Sequence, residues 1–215
     1  MVRYTPLFIF TAAFICAGLL TNLHAQDRMD FEDYDPPSTL VVPEHHLTRA
    51  KYPFIDVHNH QFNMPTQDLN ALVKTMDEMN MAVMVNLSGR GRGSAEHLER
   101  SIQNVKQTQP KRFIVFTNMD FAAIDDPEWQ GRMLRQLEDD VKKGANGLKI
   151  YKSLGMFTQD SKGNRVRIND PRIDPIWAKC GELGIPVLIH AADPRPFWQP
   201  VDAKNERWLE LKLHT

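Results

Sequence analysis

Cysteine is nearly missing from this sequence, with only Cys16 and Cys180 among 215 residues. Cys16 lies in an N-terminal apolar run that reads as a removable leader, so Cys180 would remain alone and no internal disulfide could form. An excess of one charge is missing as well: 26 basic residues face 27 acidic ones, for a net charge of -1. A strongly basic face for nucleic acid is therefore not expected. Nor is there an apolar run of the roughly 20 residues that a membrane-spanning helix needs. The apolar run Leu7 to Leu20 is 14 residues long. With 42% hydrophobic and 25% charged residues, the composition is that of a folded chain rather than a disordered one, and its stability must come from a packed core.

What is present begins with that leader. Arg3 supplies a positive start, LFIFTAAFICAGLL an apolar core, and Leu23-His24-Ala25 a small-residue cleavage site, the three parts of a secretory signal peptide over residues 1–25. Ile15 stands before Cys16 where a lipid-anchored precursor would carry a small residue. The mature chain is thus expected to be exported, to the periplasm or the medium, with no stable membrane partner. Removal of Arg3 with the leader leaves 190 residues, 25 basic against 27 acidic. Residues 26–50, rich in Asp, Glu and Pro, read as an extended arm with a short apolar patch at Leu40 to Val42. His45 and His46 sit next to each other in it, and neighbours on an extended chain point apart, which argues against a shared metal.

From Tyr52 a strand-then-helix unit repeats. The apolar runs Phe54 to His58, Met81 to Leu87, Arg112 to Asn118, Gly147 to Tyr151 and Pro186 to His190 are read as five strands. Between them, Leu69, Leu72, Val73 and Met76 share a helical face. Ser94 caps a second helix that Pro110 stops, Asp126-Pro127 opens a third ending at Gly144, and Asp174-Pro175 opens a fourth ending at Gly184. Ala203 to Leu213 is a final amphipathic stretch. Continuous apolar strands alternating with helices predict parallel strands covered by helices, the α/β class, as an open doubly wound sheet or a (β/α) barrel.

The stretch FIDVHNH sets the chemistry. Residues two apart on a strand share a face, so Phe54, Asp56, His58 and His60 point one way, while Ile55 and Val57 face the covering helices. Two imidazoles then meet at the carboxyl end of the first strand, where barrel active sites lie, and can ligate one divalent metal, zinc being the usual choice for nitrogen donors. Asp56 is placed to orient a ligand from behind. On its own, HxH is as compatible with coincidence as with a metal. His190, at the same end of the fifth strand, tips the balance, and Lys149 and Tyr151 share the inward face of the fourth, where an unpaired lysine is costly.

These residues, FIDVHNH, GLKIYK and GIPVLIHAADP, resemble the N-terminal part of the amidohydrolase superfamily, in its amidohydrolase-related, decarboxylase-containing branch. The resemblance runs from about Leu40 to the end of the chain. It implies a TIM-type (β/α)8 barrel with His58, His60 and His190 as metal ligands, and Lys149 as a ligand that can be carboxylated to bridge two metals. It also implies a small-molecule substrate: an amide, ester or lactone hydrolysed by activated water, or alternatively a carboxylate lost as carbon dioxide. A barrel takes about 250 residues, whereas five units are counted here. The expectation is therefore an incomplete barrel domain over 51–215, a fragment truncated after about five of eight strands. The family's strand-eight Asp has no counterpart, which leaves the catalytic acid or base unknown, and His214 is poorly placed to replace the strand-six histidine. A truncated remnant or a non-catalytic metal-binding module is the competing reading. Homo-oligomerisation is left open.

Other features were weighed for the same site. The loop SGRGRGS, Ser88 to Ser94, gives GxGxG rather than a dinucleotide fingerprint. It is read as a rim loop whose Arg90 and Arg92 meet an anionic substrate, with Tyr151 also lining the substrate. Ser153 to Asp170 reads as either a hairpin lid or a surface excursion.

Overall fold

A computed structural model of the chain describes residues 33–37, 43 and 45–213. The expected leader, most of the arm with Leu40 to Val42, and His214 lie outside these residues. Contacts divide the chain into two units, Glu44–Ala192 and Met1–Pro43 with Asp193–Thr215. Among the described residues, no helix is long and apolar enough to cross a membrane.

The larger unit alternates strand and helix. In order these are β1 (Phe54–Asn59), α1 (Leu69–Met79), β2 (Met81–Asn86), α2 (Ala95–Thr108), β3 (Phe113–Val115), β4 (Thr117–Asn118), α3 (Trp129–Lys143), β5 (Leu148–Ile150), the short turn α4 (Ser153–Met156), α5 (Asp174–Glu182) and β6 (Val187–Ile189). All pairings are parallel, in the orders β1-β2-β3 and β4-β5-β6. β3 and β4 are halves of the single third strand expected from sequence. The chain changes partner between them: Phe116 donates to Asn86 O on the β2 side, and Thr117 donates to Gly147 O on the β5 side. The array does not close into a barrel.

The core explains these elements. Met84, Phe113 and Val115 pack outward against Leu69, Val73 and Met76 of α1 and Leu98, Ile102 and Val105 of α2. Leu148 and Ile150 pack against Leu137 of α3 and Ile176 of α5. On the opposite face Val85, Leu87 and Phe116 form a small inner cluster with Ile114 and Leu188. Local chemistry sets the helix ends. Asp68 caps α1 by accepting from Asn70 N and Ala71 N, and Ser94 Oγ accepts from His97 N at the start of α2.

Three expectations need correction. Ile55 and Val57 are not covered by helices but are 54% and 58% exposed. Right-handed crossovers lay each helix over the strand pair it joins, and α1 packs towards β2, so none of the described helices covers the outer face of β1. Secondly, α3 starts at Trp129, because the Asp126 carboxylate accepts from Glu128 N and pairs with Arg132, forming a turn ahead of the helix. Thirdly, Ala203 to Leu213 is helical only over α6 (Trp208–Leu211), since Asp202 and Asn205 accept from Lys204 N and Arg207 N and hold turns there. In this second unit Asp35 N donates to Ala203 O and the Tyr34 hydroxyl to Glu206 O.

Candidate metal centre

Parallel strands bring their carboxyl ends to one rim, and the sequence loads that rim with polar residues. The His58 and His60 rings lie 5.3 Å apart between centroids, and His58 lies 6.1 Å from His190. A β-bulge between Asp56 and Asn59 interrupts the pairing of β1 with β2 here and re-aims the histidines. Asp56 does not bond either ring. Its carboxylate accepts from His58 N at 3.0 Å and from Asn59 Nδ2 at 2.8 Å, fixing the main chain at the bulge.

Lys149 lies beneath these rings on the inner face of β5. It is 0% exposed, and its Nζ has no hydrogen-bond partner. Burial holds its pKa below the ordinary lysine value. The same influence acts on the histidines. Burial lowers the pKa of His58, with the charges of Lys149 and His190 adding to the effect and Asp56 opposing it. His60 is lowered by burial, then by His58, Lys149 and His190. Such rings stay neutral, as metal ligands must.

The donor atoms themselves do not converge. Among the described residues no three His, Cys, Asp or Glu side chains stand as a group that could hold a metal ion. His190 Nε2 faces Ala192 O at 2.9 Å, and a carbonyl only accepts, so in this contact Nε2 donates and Nδ1 is the bare nitrogen.

The other expected site residues divide. Arg90, Arg92 and Tyr151 line one cleft of about 290 Å³, but the Arg90 guanidinium is held by a carboxylate of the fold. Arg90 is buried, and its Nη1 lies 2.8 Å from both Asp140 carboxylate oxygens, with Thr117 Oγ1 donating to the same carboxylate. The compensating charge sits 50 residues away on α3, out of reach of local sequence reading. Arg92 is exposed and lines a cleft of about 610 Å³ with Phe62, Asn63 and His97. Tyr151 stacks on His60 at 6.1 Å, but its hydroxyl is taken up by Ser88 and Leu87 O. The segment after β5 does form a small hairpin, through the antiparallel bridge Gln159 to Arg165; Ser161 N donates to Asp125, which also pairs with Arg172, and Val166 is buried.

Sequence reading missed two rim residues. Ser88, 0% exposed, contacts His60 Nδ1 at 2.7 Å. Its position just after β2, matching that of His60 after β1, was the available signal. His97, in the first turn of α2, places Nδ1 and Nε2 each 2.8 Å from a carbonyl, Gly89 O and Phe62 O. It ties the loops after β1 and β2 together.

The profile of the amidohydrolase family matches residues 55–206. The chain belongs to that family, whose wider superfamily consists of enzymes that generally bind divalent metal ions. Among solved structures it is similar to 4-oxalomesaconate hydratase from Rhodopseudomonas palustris, at 14% identity and a TM-score of 0.46 over 67% of this chain and 54% of that one. It is also similar to 2,6-dihydroxybenzoate decarboxylase from Rhizobium (15% identity, TM-score 0.43, 69% and 51% covered) and to a 2,6-dihydroxybenzoate decarboxylase complexed with 2,6-dihydroxybenzoate (19%, 0.41, 60% and 41%). The chain spans about half the length of these proteins or less. No curated protein matches it.

Proposed function

We propose that this rim binds a divalent metal ion, zinc by preference, through His58, His60 and His190, with Lys149 as a further ligand once carboxylated, and that the protein hydrolyses an amide, ester or lactone. The observation that carries the reading is Lys149: a buried amine with no hydrogen-bond partner, near two imidazoles whose neutral form burial favours, at the carboxyl end of parallel strands. Leaving a buried polar group unsatisfied costs about 1–3 kcal/mol, and a metal with a carbamate removes that cost. In carboxylation the neutral amine forms an N–C bond to carbon dioxide and releases one proton to solvent.

When bound, the metal would lower the pKa of water towards neutrality and polarise a substrate carbonyl. The chain's own residues orient the site: Asp56 holds the main chain at His58, Phe62 and Tyr151 stack on His60, and His97 fixes the loop that carries Phe62.

The test is metal analysis of purified protein with hydrolysis assays on simple esters and lactones. The reading expects about one or two bound zinc ions, lost together with turnover in His58→Ala. A folded protein that takes up no metal from zinc-containing buffer would overturn it. Release of carbon dioxide from a carboxylate substrate, without ester or lactone hydrolysis, would move the assignment to decarboxylation.

A further inference from the structure

Three hydroxyl and imidazole groups form a chain behind the metal-facing side of His60. His60 Nδ1 lies 2.7 Å from Ser88 Oγ, Ser88 Oγ lies 3.0 Å from the Tyr151 hydroxyl, and that hydroxyl donates to Leu87 O at 3.4 Å. The serine–phenol contact can run either way; one direction uses every contact of the chain, with the phenol donating to Leu87 O, Ser88 to the phenol oxygen, and the imidazole Nδ1–H to Ser88 Oγ. Run the other way, the phenol spends its hydrogen on Ser88 and the contact with Leu87 O goes unmade.

The chain is also held in place. Ser88 is fully buried, and its N donates to Asn86 Oδ1 at 2.9 Å. Asn86 Oδ1 accepts from Gln61 N at 3.0 Å, beside His60, so one buried amide sets the spacing between serine and imidazole. Tyr151 stacks on the His60 ring, with planes 23° apart, as it reaches the serine.

We infer that Ser88 and Tyr151 are positioning residues that hold His60 as the tautomer protonated on Nδ1, leaving Nε2 bare as a metal ligand. The part of this that concerns metal rests on the function proposed above. The part that concerns the tautomer does not. Partners behind a ligand histidine raise metal affinity by fixing its tautomer and orientation.

The experiment is two-bond ¹H–¹⁵N NMR of the histidine rings in metal-free protein, with the His60 signals assigned by their loss in His60→Asn, alongside zinc titration of the same samples. Wild type should show hydrogen on Nδ1 of His60. Ser88→Ala should shift the ring towards the Nε2-protonated form and weaken zinc binding about 10–100-fold, the range typical for removal of such a partner. Tyr151→Phe, which keeps the stack but removes the hydroxyl, should shift both in the same direction by less, and Ser88→Thr should restore both. Hydrogen on Nε2 in wild type would overturn the inference. So would a Ser88→Ala protein with an unchanged tautomer and zinc affinity within about twofold of wild type. If wild type binds no zinc yet shows the Nδ1 tautomer, and Ser88→Ala loses it, the relay stands and the metal reading alone fails.

Discussion

Replacing Lys149 with methionine should stabilise the metal-free protein. The lysine is 0% exposed and its Nζ makes no hydrogen bond; the Tyr151 ring, 6.0 Å away at its centroid, is too distant to offset an amine's desolvation. Methionine is unbranched and of similar length, keeps most of the packing of the lysine stem, and has no charge to bury. The gain should therefore be the cost of an unsatisfied buried polar group, about 1–3 kcal/mol. For a protein of this size each kcal/mol moves the midpoint by roughly 2–4 °C, so Tm should rise by about 2–12 °C. The measurement is urea and thermal unfolding in a chelator, with carbon dioxide excluded, followed by the same series with zinc and bicarbonate. In the second condition the order should reverse, because a ligand that binds only the folded state adds RT ln(1 + [L]/Kd) to wild type while the variant lacks the amine that carboxylation needs. A variant less stable than wild type without metal would refute the reasoning, since it would mean that the amine makes a favourable contact in the fold.

Removing the carboxylate in Asp140→Ala leaves the buried Arg90 guanidinium unpaired and should cost about 3–5 kcal/mol in urea unfolding, with the double variant Arg90→Met, Asp140→Leu recovering much of the loss. The depressed pKa values of His58 and His60 mean that the unfolded chain takes up protons that the fold resists, so their contribution to stability should be constant well above the ordinary histidine value of about 6.5 and decline as pH falls below it. Unfolding at several pH values, with a His58→Asn, His60→Asn variant that flattens the acid side, checks this. Ile55→Lys with Val57→Lys should alter stability by no more than about 0.5 kcal/mol per site while reducing self-association in light scattering, since both side chains are largely exposed.

The strand positions were legible because a strand buried on both faces is written as an unbroken apolar run, as in MAVMVN of β2. Ser94 announced α2 through a capping chemistry that depends on a few neighbouring residues, and the histidines at two strand ends announced the rim. Longer-range pairings stayed hidden. Nothing near Arg90 in the sequence indicates that Asp140 neutralises it. The alternation rule put Asp56 beside the ligand rings, but the bulge before Asn59 broke the alternation, and the carboxylate bonds the main chain instead. Ile55 and Val57 carry the apolar signature of covered residues, whereas their exposure depends on how far the neighbouring helix reaches.

The divided third strand gives the site an internal adjustment point. His58 and His60 belong to the ladder that ends at β3, and Lys149 and His190 to the ladder that begins at β4, so the gap that the proposed metal would bridge is set where the strand changes partner. Phe116 occupies that junction under tight limits: a Cβ added to Gly147 would lie 2.4 Å from its ring, and one added to Gly89 would lie 2.3 Å from its carbonyl oxygen. Substitutions at these three residues would therefore change the spread of the ligands, and with it the size of ion or number of ions accommodated, without altering any group that could touch the ion.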